Sequence, residues 1–352
     1  MPVFSDPMPT EVPDSPLWRS TGARREDLVR TRLVRAGTSR IIVVDRRDAP
    51  ADVDDADLAL RLFGRDSVGD GLGGDHYQLN KLAIWRPTAS GGFEFTFFNL
   101  APGSRRVSRG AECGHAAVAV ALVAGPDRGP GESGTPIRVR NVDTGQILDV
   151  SPRTGPEDPF GARLARVIHD PPVVAARGVE LAMPPDSAKE IRWEVVPAGN
   201  LFALVPGVDT CEDGDVRETI QSMTLEWART AAVPKARKEF VRTISHDVRW
   251  LDDAQARVEA VCHNGAERHN SLPVSGSAAL CNQLAIDRML GSDFAMPGDP
   301  EEVDFEFDVR SISGGEIVRV HARRRSGSWR IESTSCNTHA RLLIEGTAFL
   351  SR

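Results

Sequence analysis

A cysteine, a glycine and a histidine, Cys113, Gly114 and His115, stand immediately before a run of small apolar residues. That run, residues 116–124, is apolar on every face, which predicts a helix that is buried all round. Cys113 would then lie at the helix N-terminus, where unpaired N–H groups bind anions and the helix dipole lowers the pKa of a thiol. These residues could hold a carboxylate beside a group that exchanges protons. The alternatives are a structural cysteine and, favoured for His115, a hydrogen-bonded core histidine.

A lysine stands at the start of an apolar strand pattern. Lys81 precedes residues 82–85 and follows a glycine-rich segment, residues 69–74, that lacks the spacing of a phosphate-binding loop. Partial removal from water would lower the pKa of this lysine, so that its neutral amine could act as a base. A solvated lysine at a strand end is the alternative.

A polar cluster of two arginines and two hydroxyl residues, Arg35, Thr38, Ser39 and Arg40, precedes another strand pattern. Guanidinium and hydroxyl groups suit the binding of a carboxylate. Turn chemistry combined with ordinary surface charge explains the same residues equally well.

Three segments of the first half of the chain recur, in the same order, in the second half. The matching pairs are Gly37 with Gly199, Gly114 with Gly276, and residues 139–147 with residues 309–317. Nearly constant separations in the same order predict two copies of one domain with a cleft between them. Asn200 follows the repeated glycine and is expected to face the cleft, and the position equivalent to Cys113 is Ser275.

Short β-rich runs make up most of the remaining pattern, together with helices predicted at residues 53–63 and 215–230 and at the counterpart of the buried helix. The runs are residues 40–44, 82–85, 93–98, 147–150, 202–205, 305–309 and 317–320. We expect an α/β (α+β) chain with a flexible arm at 1–20, one domain at 21–185, a second at 186–352, and an active site in the cleft. Residues 126–135 are expected to form a surface loop.

Composition excludes several classes of protein. The chain has 352 residues, 40% hydrophobic and 26% charged, and a net charge of −7, which argues against a nucleic-acid or anionic-membrane surface. Its five cysteines are irregularly spaced, which indicates reduced thiols in a cytoplasm without a disulfide framework or a zinc site. Neither a signal peptide nor a membrane span is expected.

The motifs together resemble the PrpF proteins, a group of 2-methylaconitate isomerases, methylitaconate isomerases and 4-oxalomesaconate tautomerases. The resemblance runs from about residue 30 to the C-terminus. The residues that carry it are Arg35-Ala36-Gly37-Thr38-Ser39, the pair Gly73-Gly74 seven residues before Lys81, Cys113-Gly114, residues 196–200, His269 with residues 273–276, and residues 339–346. It implies the diaminopimelate-epimerase-like fold, with two pseudo-symmetric halves, each a curled, mostly antiparallel sheet around one buried central helix.

The resemblance also implies cofactor-free 1,3-proton transfer in an unsaturated carboxylic acid, with Lys81 as a main proton-transfer group and Cys113 as its neighbour across the substrate. The N–H groups at Gly114 and Gly276 would hold a carboxylate or a dienolate oxygen. The candidate substrate-binding residues are Arg35, Thr38, Ser39, Gly73, Gly74, Asn80, Gly114, His115, Asn200, Ser275, Gly276 and Ser277. We expect no cofactor, no metal, no nucleic acid and no membrane as partners, a small unsaturated carboxylate as substrate, and leave a homodimer open.

Three departures from the family bear on the substrate. Cys-Gly-Asn of the family is Cys113-Gly114-His115 here, residues 75–80 replace a Ser/Thr-rich stretch, and residues 311–315 replace a His-Pro-Ser-Gly segment. They suggest a substrate other than 2-methylaconitate, larger or less anionic. Isomerisation of 2-methylaconitate at ordinary enzymatic rates would contradict this hypothesis.

Three other functions compete with the isomerase. An epimerase using Cys113 is disfavoured in its two-thiol form, because Ser275 stands where the second thiol would be. A non-catalytic anion-binding protein and a lyase are the others.

Overall fold

The computed structural model describes residues 27–64, 71–102, 104–125, 136–152, 163–169, 176–181, 191–198, 200–230, 241–291, 294 and 300–350. The strands of the first half are β1 (Leu28–Ala36), β2 (Ser39–Asp45), β3 (Lys81–Pro87), β4 (Phe93–Leu100), β5 (Val107–Arg109), β6 (Ile137–Asn141), β7 (Ile147–Pro152), β8 (Arg163–His169) and β9 (Ala176–Leu181). Those of the second half are β10 (Ile191–Ala198), β11 (Asn200–Pro206), β12 (Val241–Trp250), β13 (Gln255–Asn264), β14 (Glu267–Arg268), β15 (Glu302–Ser311), β16 (Gly314–Arg325) and β17 (Ser328–Phe349). The α-helices are α1 (Asp55–Phe63), α2 (Gly114–Ala124), α3 (Gly214–Thr230) and α4 (Val274–Leu290), with short 3₁₀ turns at Arg46–Asp48 and Tyr77–Leu79.

The order of strand pairing repeats between the halves. β1–β2 and β10–β11 are antiparallel hairpins, and their second strands pair in parallel with β3 and β12. Antiparallel β3–β4 and β12–β13 follow, then parallel β4–β6 and β13–β15, then antiparallel β6–β7 and β15–β16. The structure therefore confirms the predicted fold class of two similar halves.

The long strand β17 joins the two halves, because it pairs with β16 of the second half and with β1 and β8 of the first. β9 likewise pairs with β10. The predicted arm at 1–20, the predicted loop at 126–135 and the predicted boundary at 185 lie outside the described residues, so the division into domains stays a prediction.

Helices α2 and α4 form the centre of one large apolar core. Nearly every residue of α2 is buried, as its composition predicts, because small side chains allow strands to approach the helix from several sides. α4 is buried over its first three turns and lies in the same core. The two helices therefore fix the positions of the residues at their own N-termini.

Helices α1 and α3 cover the outer faces of the sheet. α1 begins two residues after the predicted start and ends at the predicted residue. The Asp54 carboxylate accepts hydrogen bonds from two N–H groups of its first turn. α3 packs through Val216, Ile220 and Ala228. The partly buried side chains of Met223, Leu225 and Trp227 pack against the same cluster as Ile220. The buried residues Val216 and Ile220 are four positions apart, so both lie on the inward side of the helix.

All the β-rich runs named above fall inside observed strands. The five cysteines are buried and unbonded. Within the described ranges, no helix combines the length and apolar character that crossing a membrane requires.

Candidate active site

The N-termini of the two central helices meet. A Cβ atom added to Gly114 would lie 2.8 Å from Cβ of Val274, so glycine is what allows the first turns of α2 and α4 to approach so closely. Cys113 and Pro273 are the N-cap residues, and neither helix has a side-chain cap hydrogen bond. Because the first N–H groups of a helix have no intrahelical acceptor, both helix ends offer hydrogen-bond donors to the same place.

A cavity of about 50 Å³ lies where these helix ends meet. Its lining residues are Tyr77, Lys81, Phe97, Asn99, Ala111, Glu112, Cys113, Gly114, His115, Arg242, Asn264, His269, Pro273, Val274 and Ser275. The structure thus brings together five residues singled out from the sequence, Lys81, Cys113, Gly114, His115 and Ser275.

Lys81, the first residue of β3, is buried, with 7% of its surface exposed. Its Nζ donates a hydrogen bond to Oγ of Ser39 over 2.8 Å. Burial lowers the pKa of the Lys81 amine, a nearby Cys113 thiolate would oppose that shift, and the charge of Arg242 adds to it. The neutral amine is therefore populated at lower pH than in an exposed lysine.

The hydrogen bond from Lys81 continues to His115. Ser39 Oγ lies 3.2 Å from His115 Nδ1, and burial lowers the pKa of His115 to about 3, with Lys81 and Arg35 adding to the effect. The imidazole is therefore neutral, so its Nδ1 can accept the Ser39 proton while Ser39 accepts from Lys81. Gly37 has a φ of +50°, and a Cβ there would lie 2.2 Å from His115 Nε2. The glycine of this turn thus makes room for the histidine.

Asn200 connects the two halves behind the cavity. Its Oδ1 accepts from the Glu112 N–H over 2.9 Å, and its Nδ2 donates to the Glu112 carbonyl over 3.0 Å and to Ser275 Oγ over 3.4 Å. The side chain is completely buried. Asn200 therefore fixes the residue that precedes Cys113 relative to the first turn of α4.

Replacing Asn200 with alanine is expected to lower the free energy of unfolding by about 2–4 kcal/mol, because two buried backbone groups of Glu112 lose their partner. Urea denaturation followed by circular dichroism measures the change. Asn264→Ala is the control, since no hydrogen bond of the Asn264 side chain occurs within the described part of the chain. Equal effects of the two substitutions would contradict the bridging role.

Arg242 and His269 are cavity residues that sequence reasoning did not select as site residues. Arg242 is the second residue of β12. His269 contacts the Tyr77 ring edge-on, with 5.5 Å between ring centroids, and burial lowers its pKa to about 2, helped by the charges of Arg242 and Lys81. No motif marks Arg242, whereas His269 stood in the segment that carries the family resemblance.

Several sequence-selected residues lie away from the cavity. Arg35 is exposed and donates from Nε to the Gly37 carbonyl over 2.6 Å. The Asn80 amide clamps Gly74, accepting from its N–H over 2.6 Å and donating to its carbonyl over 2.9 Å. Gly73 donates to the Phe63 carbonyl. These contacts shape the loop that leads into Lys81, and a binding role for Arg35, Gly73, Gly74 and Asn80 stays a prediction.

Thr38 bridges the halves at the cavity rim, with its Oγ1 3.0 Å from Oγ of Ser271. Gly276 is close-packed, since an added Cβ would lie 3.1 Å from atoms of Ile244 and Phe202. Both residues frame the site without lining the cavity, and their predicted contact with substrate is untested.

Ser277, also outside the cavity lining, donates a short hydrogen bond to Glu316 on β16. Burial raises the pKa of the half-buried Glu316 carboxyl to about 7, against the lowering effect of that hydrogen bond. A titrating carboxyl therefore lies against the first turn of α4.

Replacing Glu316 with glutamine is expected to flatten the pH dependence of stability. The folded protein holds the Glu316 proton to about pH 7, above the ordinary glutamate pKa, so the wild type loses stability as pH rises from about 5 to 8. Relative to Glu316→Gln, the free energy of unfolding of the wild type should fall by about 1–2 kcal/mol over this range. This is less than the full pKa shift implies, because the residue is partly exposed. Urea denaturation across that range measures it, with Glu301→Gln, at an exposed glutamate, as the control. Parallel curves for wild type and Glu316→Gln would rule out this titration.

No three histidine, cysteine, aspartate or glutamate side chains lie together in a way that could hold a metal ion, as far as the described residues go. The cavity wall holds the Lys81 amine, the Cys113 thiol, the Arg242 guanidinium and the Glu112 carboxylate.

No family model matches the chain, and no curated protein sequence matches it significantly. Solved structures do. A methylitaconate-delta-isomerase aligns with a TM-score of 0.59 and 17% identity, covering 92% of this chain and 95% of the isomerase. A hydroxyproline epimerase from Agrobacterium vitis, with bound trans-4-hydroxy-L-proline, aligns with a TM-score of 0.58 and 15% identity over 93% of this chain and 94% of its own.

A probable proline racemase from Agrobacterium radiobacter K84, with bound carbonate, aligns with a TM-score of 0.54 and 15% identity, covering 92% and 93% of the two chains. Identities this low establish the fold alone. The chain adopts the diaminopimelate-epimerase-like fold of these isomerase and epimerase structures.

Proposed function

We propose that this protein is a cofactor-independent isomerase that moves a C=C bond in an unsaturated carboxylic acid by 1,3-proton transfer. The observation that carries the proposal is the placement of a buried amine, Lys81, and a thiol, Cys113, in one cavity at the meeting point of two uncapped helix N-termini. The resemblance to the PrpF proteins and the likeness to a methylitaconate isomerase support the same reaction class.

Lys81 is the base. Its neutral amine takes a proton from the carbon next to the double bond, and the C–H electron pair enters the allylic system. The Ser39 hydroxyl holds one N–H of the amine and leaves the nitrogen lone pair for the substrate. Burial and the charge of Arg242, which together lower the pKa of Lys81, favour the form that can accept a proton.

The N–H groups at the starts of α2 and α4 stabilise the resulting anion. Negative charge that spreads onto the substrate carboxylate as the proton leaves is met by donors already fixed in place, including those of Gly114 and Ser275. The thiol of Cys113 gives its proton to the carbon at the far end of the allylic anion. Proton transfer from the Lys81 ammonium to the Cys113 thiolate then restores both groups.

The difference between Cys113 and Ser275 favours an isomerase over a two-thiol epimerase. Ser275 stands at the start of α4 as Cys113 does at the start of α2, and its hydroxyl is engaged by Asn200. A hydroxyl is a far weaker acid than a thiol, so the second helix end supplies anion binding without a second proton-transfer group. An epimerase using Lys81 and Cys113 is the second candidate, favoured by the likeness to the hydroxyproline epimerase.

The substrate is less anionic than 2-methylaconitate in this proposal. Tyr77, the single tyrosine of the chain, lies in the segment that departs from the family and occupies the cavity wall with its ring 5.9 Å from Lys81 Nζ. An aromatic wall takes space and offers little to a third carboxylate.

A panel of unsaturated mono-, di- and tricarboxylates tests the proposal by ultraviolet absorbance and polarimetry. An isomerase changes the conjugation of the acid and hence its absorbance. A change of optical rotation at constant absorbance would support the epimerase. Ligand-induced stabilisation without either change would point to a binding protein.

A further inference from the structure

Arg242, in the cavity wall, has buried guanidinium nitrogens without hydrogen-bond partners among the described residues. Arg242 lies on β12, where its backbone pairs with Asn264 of β13 and Phe202 of β11. Its Nε and Nη1 atoms are closed off from solvent, and neither has a hydrogen-bond partner among the described residues. The guanidinium lines the same cavity as Lys81.

No acidic side chain pairs with Arg242 among the described residues. Glu267 lies two strands away, beyond Asn264, in the order of cross-strand pairs. The charge of Arg242 lowers the pKa of both Lys81 and His269, so the guanidinium lies close to two basic groups. The Glu112 carboxylate is the acidic group of the lining, and it already accepts hydrogen bonds from Thr144 Oγ1 over 2.7 Å and the Cys113 N–H over 3.2 Å. Shielded cationic donors without an acceptor are costly, and an incoming anion removes that cost.

Arg242 belongs to the second half of the protein, whereas Lys81 and Cys113 belong to the first. A carboxylate held by Arg242 would therefore be anchored by the second half, while the two proton-transfer groups come from the first. Guanidinium groups bind carboxylates through paired, charge-assisted hydrogen bonds, which fix the orientation of a planar acid as well as its position.

We propose that Arg242 binds a carboxylate of the substrate and so decides which carbon of the acid faces Lys81. The substrate in this proposal is the unsaturated acid of the function proposed above, on which the proposal rests. Arg242 is then the residue that makes the site bind acids more tightly than neutral analogues. Replacing the carboxylate with an uncharged amide of the same shape should therefore weaken binding through Arg242.

The test is a thermodynamic cycle with two small probes, crotonate and crotonamide, titrated by ligand NMR into full-length protein. The wild type is expected to bind crotonate at least about tenfold more tightly than crotonamide. In Arg242→Gln this preference should fall to within about threefold, while Arg249→Gln, an exposed arginine of the same strand, should keep it.

Retention of the wild-type preference in Arg242→Gln would overturn the proposal and assign the carboxylate to the helix N-termini alone. A wild type that binds both probes equally, or neither, would overturn it too. If Arg242→Gln does not fold, Arg242→Lys serves in its place, with an expected loss of about threefold or more, because an ammonium does not reproduce the guanidinium geometry. Binding is measured without turnover, so this result is independent of whether the protein transfers protons.

Discussion

Replacing Lys81 with methionine is expected to lower kcat by about 10²–10⁴-fold, the range that general acid–base catalysis contributes. Methionine has a similar length and fills the buried space without an amine. The loss should appear in kcat more than in KM, because the amine acts on the proton in the transition state. Stopped assays with the best acid of the panel measure it. Arg86→Met, an exposed position on the same strand, is the control.

The same substitution should leave the protein at least as stable as the wild type at neutral pH. The lowered pKa of Lys81 means that the folded protein binds fewer protons than the unfolded chain, so the lysine costs stability at low pH and less as pH rises.

Wild-type kcat/KM should rise with pH, with an inflection below 10.5, the ordinary lysine value. An unchanged kcat in Lys81→Met, with the protein folded, would remove Lys81 from the reaction.

Replacing Cys113 with serine is expected to lower kcat by about 10²–10³-fold, because a hydroxyl is much less acidic than a thiol and is a poor proton donor to carbon. The two side chains are close in size, and Cys113 lies at a helix N-cap position where serine is well tolerated. The fold and the binding of carboxylates should therefore persist.

A second buried thiol gives a matched control. Cys211 is completely buried, its pKa is raised to about 11 mainly by burial, and it packs with β11 and α3 away from the cavity. Cys211→Ser should keep the wild-type kcat. Equal losses in Cys113→Ser and Cys211→Ser would show that the thiols act through stability alone.

The fold was largely predictable from the sequence, because its repeat leaves visible marks. Glycine is required at the helix starts because the neighbouring part of the chain lies too close for a side chain. Gly114, for example, packs directly against Val274. The all-apolar composition of residues 116–124 dictates a buried helix. These are local constraints, and a single sequence records them directly.

The candidate site residues at the helix N-termini could be predicted from the sequence. Those that reach the cavity only through the register of the strands, such as Arg242, could not. Arg242 reaches the cavity because β12 lies parallel to β11 and antiparallel to β13. No local pattern distinguishes it among the 43 basic residues of the chain. The Gly73-Gly74 pair was conspicuous in the sequence, and the structure shows the Asn80 amide hydrogen-bonded to the backbone of Gly74. The binding role of the pair stays a prediction.

Proton NMR of the reaction in D₂O, with the acid that gives the largest absorbance change in the panel, distinguishes double-bond migration from exchange at a single carbon. If Lys81 and Cys113 act as proposed, the double bond migrates and deuterium appears at the carbon that is reprotonated. Migration in Lys81→Met is then slowed by about 10²–10⁴-fold. Deuterium uptake at one carbon without migration, or migration undiminished in Lys81→Met, would contradict this mechanism.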